Sequence, residues 1–134
     1  MNVFDKSSIK KLATCDERLH VLAVEAYKDC PLDFIITHGH RTVKEQQDLF
    51  AKGRTAPGRI VTNCDGINKK SKHNLFPSLA FDFAVKLADG EITWDEHYYL
   101  NVGNHIKNTA KKLGIEITWG GDWRYKDYPH IEIA

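Results

Sequence analysis

Four residues carry side chains suited to holding a cation and moving a proton: His73 and Asp82 in the middle of the chain, Asp127 and His130 near its end. Two histidines and one carboxylate supply three N/O donors, the number a catalytic zinc ion takes from protein while a fourth position stays open. Asp127 precedes His130 by three residues on the same turn, which suits a general base that does not join the ligand set. The local patterns are Ser71-Lys72-His73 and Asp127-Tyr128-Pro129-His130, with the proline stiffening the approach to the second imidazole. Each residue also has an ordinary explanation, as a capped loop aspartate or a histidine in the core or on the surface. Asp82 is the hardest to explain that way. It sits inside Leu79-Ala80-Phe81-Asp82-Phe83-Ala84-Val85, where an unpartnered carboxylate is costly to bury.

Other polar groups stand where they could face the same cleft. Arg41 lies between a strand and a helix, and its guanidinium could grip a carboxylate or offset charge on an oxyanion. Gln46 falls on the inward stripe of the helix that follows, with Val43, Gln47 and Phe50, and is read as substrate-binding. His38 and His40 form a rival His-x-His clamp that would share one face of a continuing strand. Gly39 between them points to a bend instead. His20, His97 and His105 fall among charged residues and read as surface positions.

Positioning these groups requires helices and strands that the sequence marks unevenly. Thr14-Cys15-Asp16-Glu17, Thr42-Val43-Lys44-Glu45 and Thr93-Trp94-Asp95-Glu96 each fit a capping box, in which the hydroxyl and the glutamate reciprocally satisfy first-turn amides. They predict helices from 14 to about 28, from 42 to Gly53, and from 93 to Gly114. Apolar runs predict strands at 33–38, 80–86, 115–118 and 130–133. Residues 55–76 are rich in Gly, Pro, Asn, Lys and Ser and read as a long loop, a length uncommon unless functional.

Composition narrows the classes. A chain of 134 residues suits one domain, 1–134. Lys+Arg 19 against Asp+Glu 18 gives net +1, which argues against a nucleic-acid or membrane partner recruited by bulk charge. A monomer is expected. Cys15, Cys30 and Cys64 form no CxxC pair, and three is a poor disulfide count, so they read as reduced thiols. The first residues, broken by charges, resemble no signal peptide, and no run suits a membrane span. The expected location is therefore the cytoplasm.

These pieces together resemble the zinc D,D-carboxypeptidases and L-alanyl-D-glutamate endopeptidases of peptidoglycan, a family that includes phage endolysins and shares its fold with the hedgehog signalling domain. The resemblance runs over about residues 33 to 133. Its pieces are His40-Arg41-Thr42, Glu45-Gln46-Gln47, Leu49-Phe50-Ala51-Lys52-Gly53-Arg54-Thr55, Pro57-Gly58-Arg59-Ile60-Val61-Thr62, Ser71-Lys72-His73-Asn74, Ala80-Phe81-Asp82, Trp119-Gly120-Gly121-Asp122-Trp123 and Asp127-Tyr128-Pro129-His130-Ile131-Glu132.

The resemblance implies an α+β fold, a small antiparallel sheet with packed helices and a zinc groove. It implies one zinc ion on His73, Asp82 and His130, with Asp127 as base and Arg41 on the substrate or the transition state. Ser71 would be a substrate-binding cleft residue near the metal. The implied substrate is the peptidoglycan stem peptide, cut between L-alanine and D-glutamate by a phage-type lysin held in the host cytoplasm until release. Two alternatives stand beside it: a D-alanyl-D-alanine carboxypeptidase, and a non-catalytic zinc-stabilised binding module. One departure is that the spacing from His73 to Asp82 is two residues longer than usual in the family. The expectation is that Asp82 keeps its face, because two residues preserve strand parity, while Pro77-Ser78 bulges and reshapes the cleft rim.

Overall fold

The computed structural model describes residues 2–134. In chain order the elements are α1 (Lys6–Leu12), α2 (Glu17–Lys28), β1 (Asp33–His38), α3 (Val43–Ala51), β2 (Ala80–Lys86), β3 (Ile92–Thr93), α4 (Glu96–Leu113), β4 (Ile117–Trp119) and β5 (His130–Ile133). Short 3-10 turns occupy Lys72–Asn74 and Gly120–Asp122. All strand pairs are antiparallel, in the order β1-β2-β5-β4, with β3 on the end of β2. The expected α+β class is what the chain adopts.

Strand β2 is central because of its alternation. Phe81, Phe83 and Val85 point into the core, while Ala80, Asp82, Ala84 and Lys86 share the other face. The core side packs on Leu19, Leu22, Ala23 and Ala26 of α2 and on Tyr99, Val102, Ile106 and Ala110 of α4. Burying one large apolar side chain stabilises by roughly 1.5–3 kcal/mol, so three such residues on β2 readily outweigh the cost of one partnered carboxylate. Asp82 is therefore held in place by neighbours on the opposite face.

The expected helices are present, but two of their starts are not where the capping boxes put them. Of the three predicted boxes, only that of Thr42 and Glu45 is reciprocal. Helix α2 begins at Glu17, capped by Asp16, whose carboxylate accepts from the Arg18 amide, because the Thr14 hydroxyl is already committed: it donates to the Lys11 carbonyl and accepts from the His40 amide. Thr93 is drawn into β3 opposite Val85, and α4 is capped at Asp95 with no side-chain hydrogen bond. The third strand begins two residues later than expected, at Ile117, and α1 and β3 lacked any sequence signal strong enough to predict them. On α3 only Gln46 is buried; Val43 and Gln47 face solvent.

Residues 55–71 contain no helix or strand, in keeping with the predicted loop. Asp65 organises their middle by accepting from the amides of Ile67, Asn68 and Lys69. The extended segment before Asp82 departs from expectation. Leu75, Phe76 and Pro77 are exposed, but Ser78 is fully buried, donating its amide to the Thr14 carbonyl and accepting from the Asp16 amide. None of residues 74–79 lines the cleft described below; Ser78 packs instead against the α1–α2 junction.

Candidate metal centre and active site

Antiparallel register builds the centre. Asp82 on β2 lies directly opposite His130 on β5 and opposite His38 on β1, and directly opposed residues have Cβ atoms about 4.5–5.5 Å apart. His73 arrives from the other direction on the 3-10 turn, which Ser71 caps by accepting from the His73 amide. The result is a triangle: His73 Nε2 to Asp82 Oδ1 is 3.2 Å, His73 Nε2 to His130 Nδ1 is 3.2 Å, and His130 Nδ1 to Asp82 Oδ1 is 3.1 Å.

The outer nitrogens show what faces inward. His73 Nδ1 is 2.8 Å from the Gly39 carbonyl, and His130 Nε2 is 2.8 Å from a Glu132 carboxylate oxygen. Both partners only accept, so each ring carries its proton outward and turns a bare lone pair toward Asp82. Three acceptors converging within 3.2 Å repel one another unless something positive lies between them. Tetrahedral zinc with these donors separates its ligand atoms by about 3.3 Å, close to the observed spacing. His73, Asp82 and His130 therefore form a group that could hold a metal ion. A proton is the other cation that satisfies such a set. Burial opposes charge on His130, yet its hydrogen bonds to Asp82 and Glu132 prevail and raise its pKa to about 9. Burial likewise opposes the Asp82 anion, and the two histidines overcome it and hold that carboxyl well below the usual range.

Backing groups fix the three donors. Gly39 presents its carbonyl to His73 from a position with no room for a side chain: a Cβ there would lie 2.4 Å from the Lys11 carbonyl and 2.5 Å from the Thr14 hydroxyl. Glu132, two residues beyond His130 and so on the same face of β5, is paired at 3.1 Å with Lys72. The Trp123 ring lies against His130, 5.2 Å between centroids. Sequence reasoning missed Glu132 and Gly39 as supports. The i, i+2 placement of Glu132 was the available signal, whereas the Gly39 carbonyl had none.

Arg41 is buried behind the triangle. Its Nη2 reaches Asp82 Oδ2 at 3.5 Å, its Nη1 donates to Gln46 Oε1 at 2.9 Å, and its Nε is buried with no hydrogen-bond partner among the described residues. Gln46 is fully buried and does not line the cleft, so the structure corrects its reading as a substrate-binding group. Its amide instead donates to the Cys64 carbonyl at 2.9 Å and to the Thr62 hydroxyl at 3.3 Å, tying the long loop to Arg41. The rival clamp does not form. His38 Nδ1 approaches Asp82 Oδ2 at 3.6 Å, while His40 turns away to the Leu75 carbonyl and the Phe76 ring.

A cleft of about 450 Å³ opens over the triangle, lined by the three ligand candidates together with Arg41, Ser71 and Asp127. Asp127 lies on its wall with access to solvent. Reduced hydration in the cleft, followed by the Asp82 charge, raises its carboxyl above the ordinary value, which strengthens it as a base. Its turn is anchored by Gly120, whose carbonyl accepts from the Asp127 amide. A Cβ on Gly120 would lie 2.2 Å from the Asp127 carbonyl, so only glycine lets the turn close there.

A donor triangle beside an unligated carboxylate, in a cleft of an α+β sheet, defines a hydrolase that could use a metal. The chain belongs to the phage L-alanyl-D-glutamate peptidase family, whose sequence model matches residues 2–134. It is 45% identical over 108 residues to the peptidoglycan L-alanyl-D-glutamate endopeptidase CwlK of Bacillus subtilis, covering 76% of this chain but 61% of that protein. To the L-alanyl-D-glutamate peptidase of Escherichia phage T5 it is 33% identical over 131 residues, covering 97% of this chain and 88% of the relative. The crystal structure of the Serratia marcescens L-Ala D-Glu endopeptidase ChiX has the same fold, with a TM-score of 0.79, 22% identity, and coverage of 98% of this chain and 89% of that one.

Proposed function

We propose that this chain is a zinc-dependent endopeptidase that hydrolyses the amide bond between L-alanine and D-glutamate in peptidoglycan stem peptides. The observation that carries the reading is the triangle of His73, Asp82 and His130 with inward lone pairs, sharing a cleft with Asp127. The choice of bond rests on the family and on the names its two relatives carry.

When bound, zinc supplies Lewis acidity toward the scissile carbonyl and makes a water nucleophile available near neutral pH. Asp127 takes the proton from the attacking water and passes it to the nitrogen of the departing D-glutamate. Arg41, fixed by Gln46 and carrying one orphaned buried donor, offsets the negative charge that develops on the carbonyl oxygen. Ser71 positions His73 by capping its turn. In this reading residues 1–134 form one catalytic domain, act as a phage-type lysin, and remain in the host cytoplasm until a permeabilising partner gives access to the wall. Among the described residues no helix is long and apolar enough to cross a membrane.

Product analysis on a purified stem peptide tests the reading. A new amino-terminal D-glutamate is expected; release of free D-alanine would instead identify a carboxypeptidase, and an intact peptide with zinc bound would identify a binding module.

A further inference from the structure

A second trough of about 460 Å³ continues from the cleft, and the two share Val61, Thr62, Cys64, Trp123 and Asp127 as lining. They form one groove with the candidate base at the junction. Beyond that junction the lining changes character. Ile60 and Tyr125 expose 59% and 80% of their surface, and Lys69 and Lys126 supply the charge, with Asp127 the trough's one acidic lining residue. Neither ammonium group is engaged in an ion pair among the described residues. The cleft sets Arg41, Lys70 and Lys72 against Asp82, Asp127 and Glu132, whereas the trough sets Lys69 and Lys126 against Asp127 alone, so the trough is the more positive end of the groove.

The substrate is biased in the same way. On the amino side of the scissile bond, L-alanine is joined by amide linkage to the lactyl sugar and carries no free acid. On the other side, D-glutamate continues through its side-chain carboxyl, which leaves its α-carboxylate free, and the residues that follow add further carboxylates. We propose that the trough binds this carboxylate-bearing side of the peptide. Lys69 and Lys126 pair with the α-carboxylate of D-glutamate and the next acid along, and Ile60 and Tyr125 cover the methylenes between them. The assignment rests on the endopeptidase reading and adds to it a preference for the free acid over the amide at D-glutamate.

Two synthetic stem peptides that differ only there, one a free α-acid and the other its amide, test it with the zinc-loaded chain. Exposed ion pairs contribute little, so KM for the amide is expected to be higher by roughly two- to fivefold. The kcat values are expected to agree within about twofold, as for a loss of uniform binding. The difference shrinks as salt rises, because exposed pairs are screened. In the Lys69→Gln/Lys126→Gln double variant, KM for the acid rises to that of the amide, while Lys69→Arg keeps the preference. Calorimetric binding of both peptides to Asp127→Asn reads the same difference without turnover. Equal KM values in the wild-type chain, with both peptides cut at the L-alanyl-D-glutamate bond, would overturn the trough assignment and leave the activity standing. Cleavage of neither would overturn the endopeptidase reading, and the trough with it.

Discussion

The two walls of the cleft are built by different means. The sheet wall, Asp82 and His130, is set by strand register over a core of Phe81, Phe83 and Ile131 that is fully buried. The loop wall, residues 61 to 64, has no regular structure and is held by one buried side chain, Gln46, and by Arg54, which donates to the Thr62 carbonyl at 3.1 Å. The wall that would hold the ion is therefore rigid, and the wall that would meet substrate is adjustable. This is the usual division between scaffold and loop in enzymes. His73 is the link between them, since it comes from the end of the loop yet is fixed by the Gly39 carbonyl.

The largest effects should come from the triangle and the carboxylate beside it. Asp82→Ala and His73→Ala should lose both zinc content and peptide cleavage, whereas Asp127→Ala should keep zinc and lose roughly 10²–10⁴ in kcat. Metal analysis beside a cleavage assay separates the two kinds of failure. An Asp127→Ala variant that cleaves normally would remove it from the mechanism.

An intermediate effect is expected where the walls meet. Gln46→Leu removes the acceptor of Arg41 and the donor to Cys64, at a cost of about 1–3 kcal/mol in unfolding free energy for buried groups left unpaired. Zinc content should be unchanged while KM rises, because the loop wall is released and the triangle is not. Gln46→Glu, which keeps the acceptor for Arg41, should recover part of the loss. If Gln46→Leu lost zinc, the two walls would not be separable.

The smallest effect concerns protons at the triangle. His130 is raised to about 9 when a proton stands in for the ion, so zinc must displace that proton at neutral pH. Apparent affinity should fall about tenfold for each unit of pH below 9 and level off above it. Titrations in buffers of different ionisation enthalpy should report about one proton released per zinc at pH 7. A pH-independent affinity would mean that His130 is not a ligand.

Much of this was legible in the sequence wherever one residue's environment is set by its own element. Strands β1, β2 and β5 were readable from their apolar runs, and Asp82 stood out because nothing in an apolar strand accounts for it. What depends on contacts between distant segments was not readable. Thr14 has the pattern of a helix cap, but its hydroxyl is occupied by Lys11 and His40, and Thr93 is captured by Val85. Gln46 was correctly placed on an inward stripe. Its role was misread because the loop that covers it, through Cys64, lies 18 residues further along the chain. Helix α1, with 7 residues and only Ser8 and Leu12 buried, is too short to show a period.

That short helix has a practical bearing on protein engineering. Gly39, whose carbonyl meets the His73 ring, rests on the Lys11 carbonyl and Thr14, so the back of the donor triangle is braced by the end of α1 and the turn after it. In this chain a module joined ahead of Asn2 leaves Phe4 stacked on Tyr27 in the core, whereas a trim that reaches Lys11 removes the backing of His73, 62 positions away in sequence.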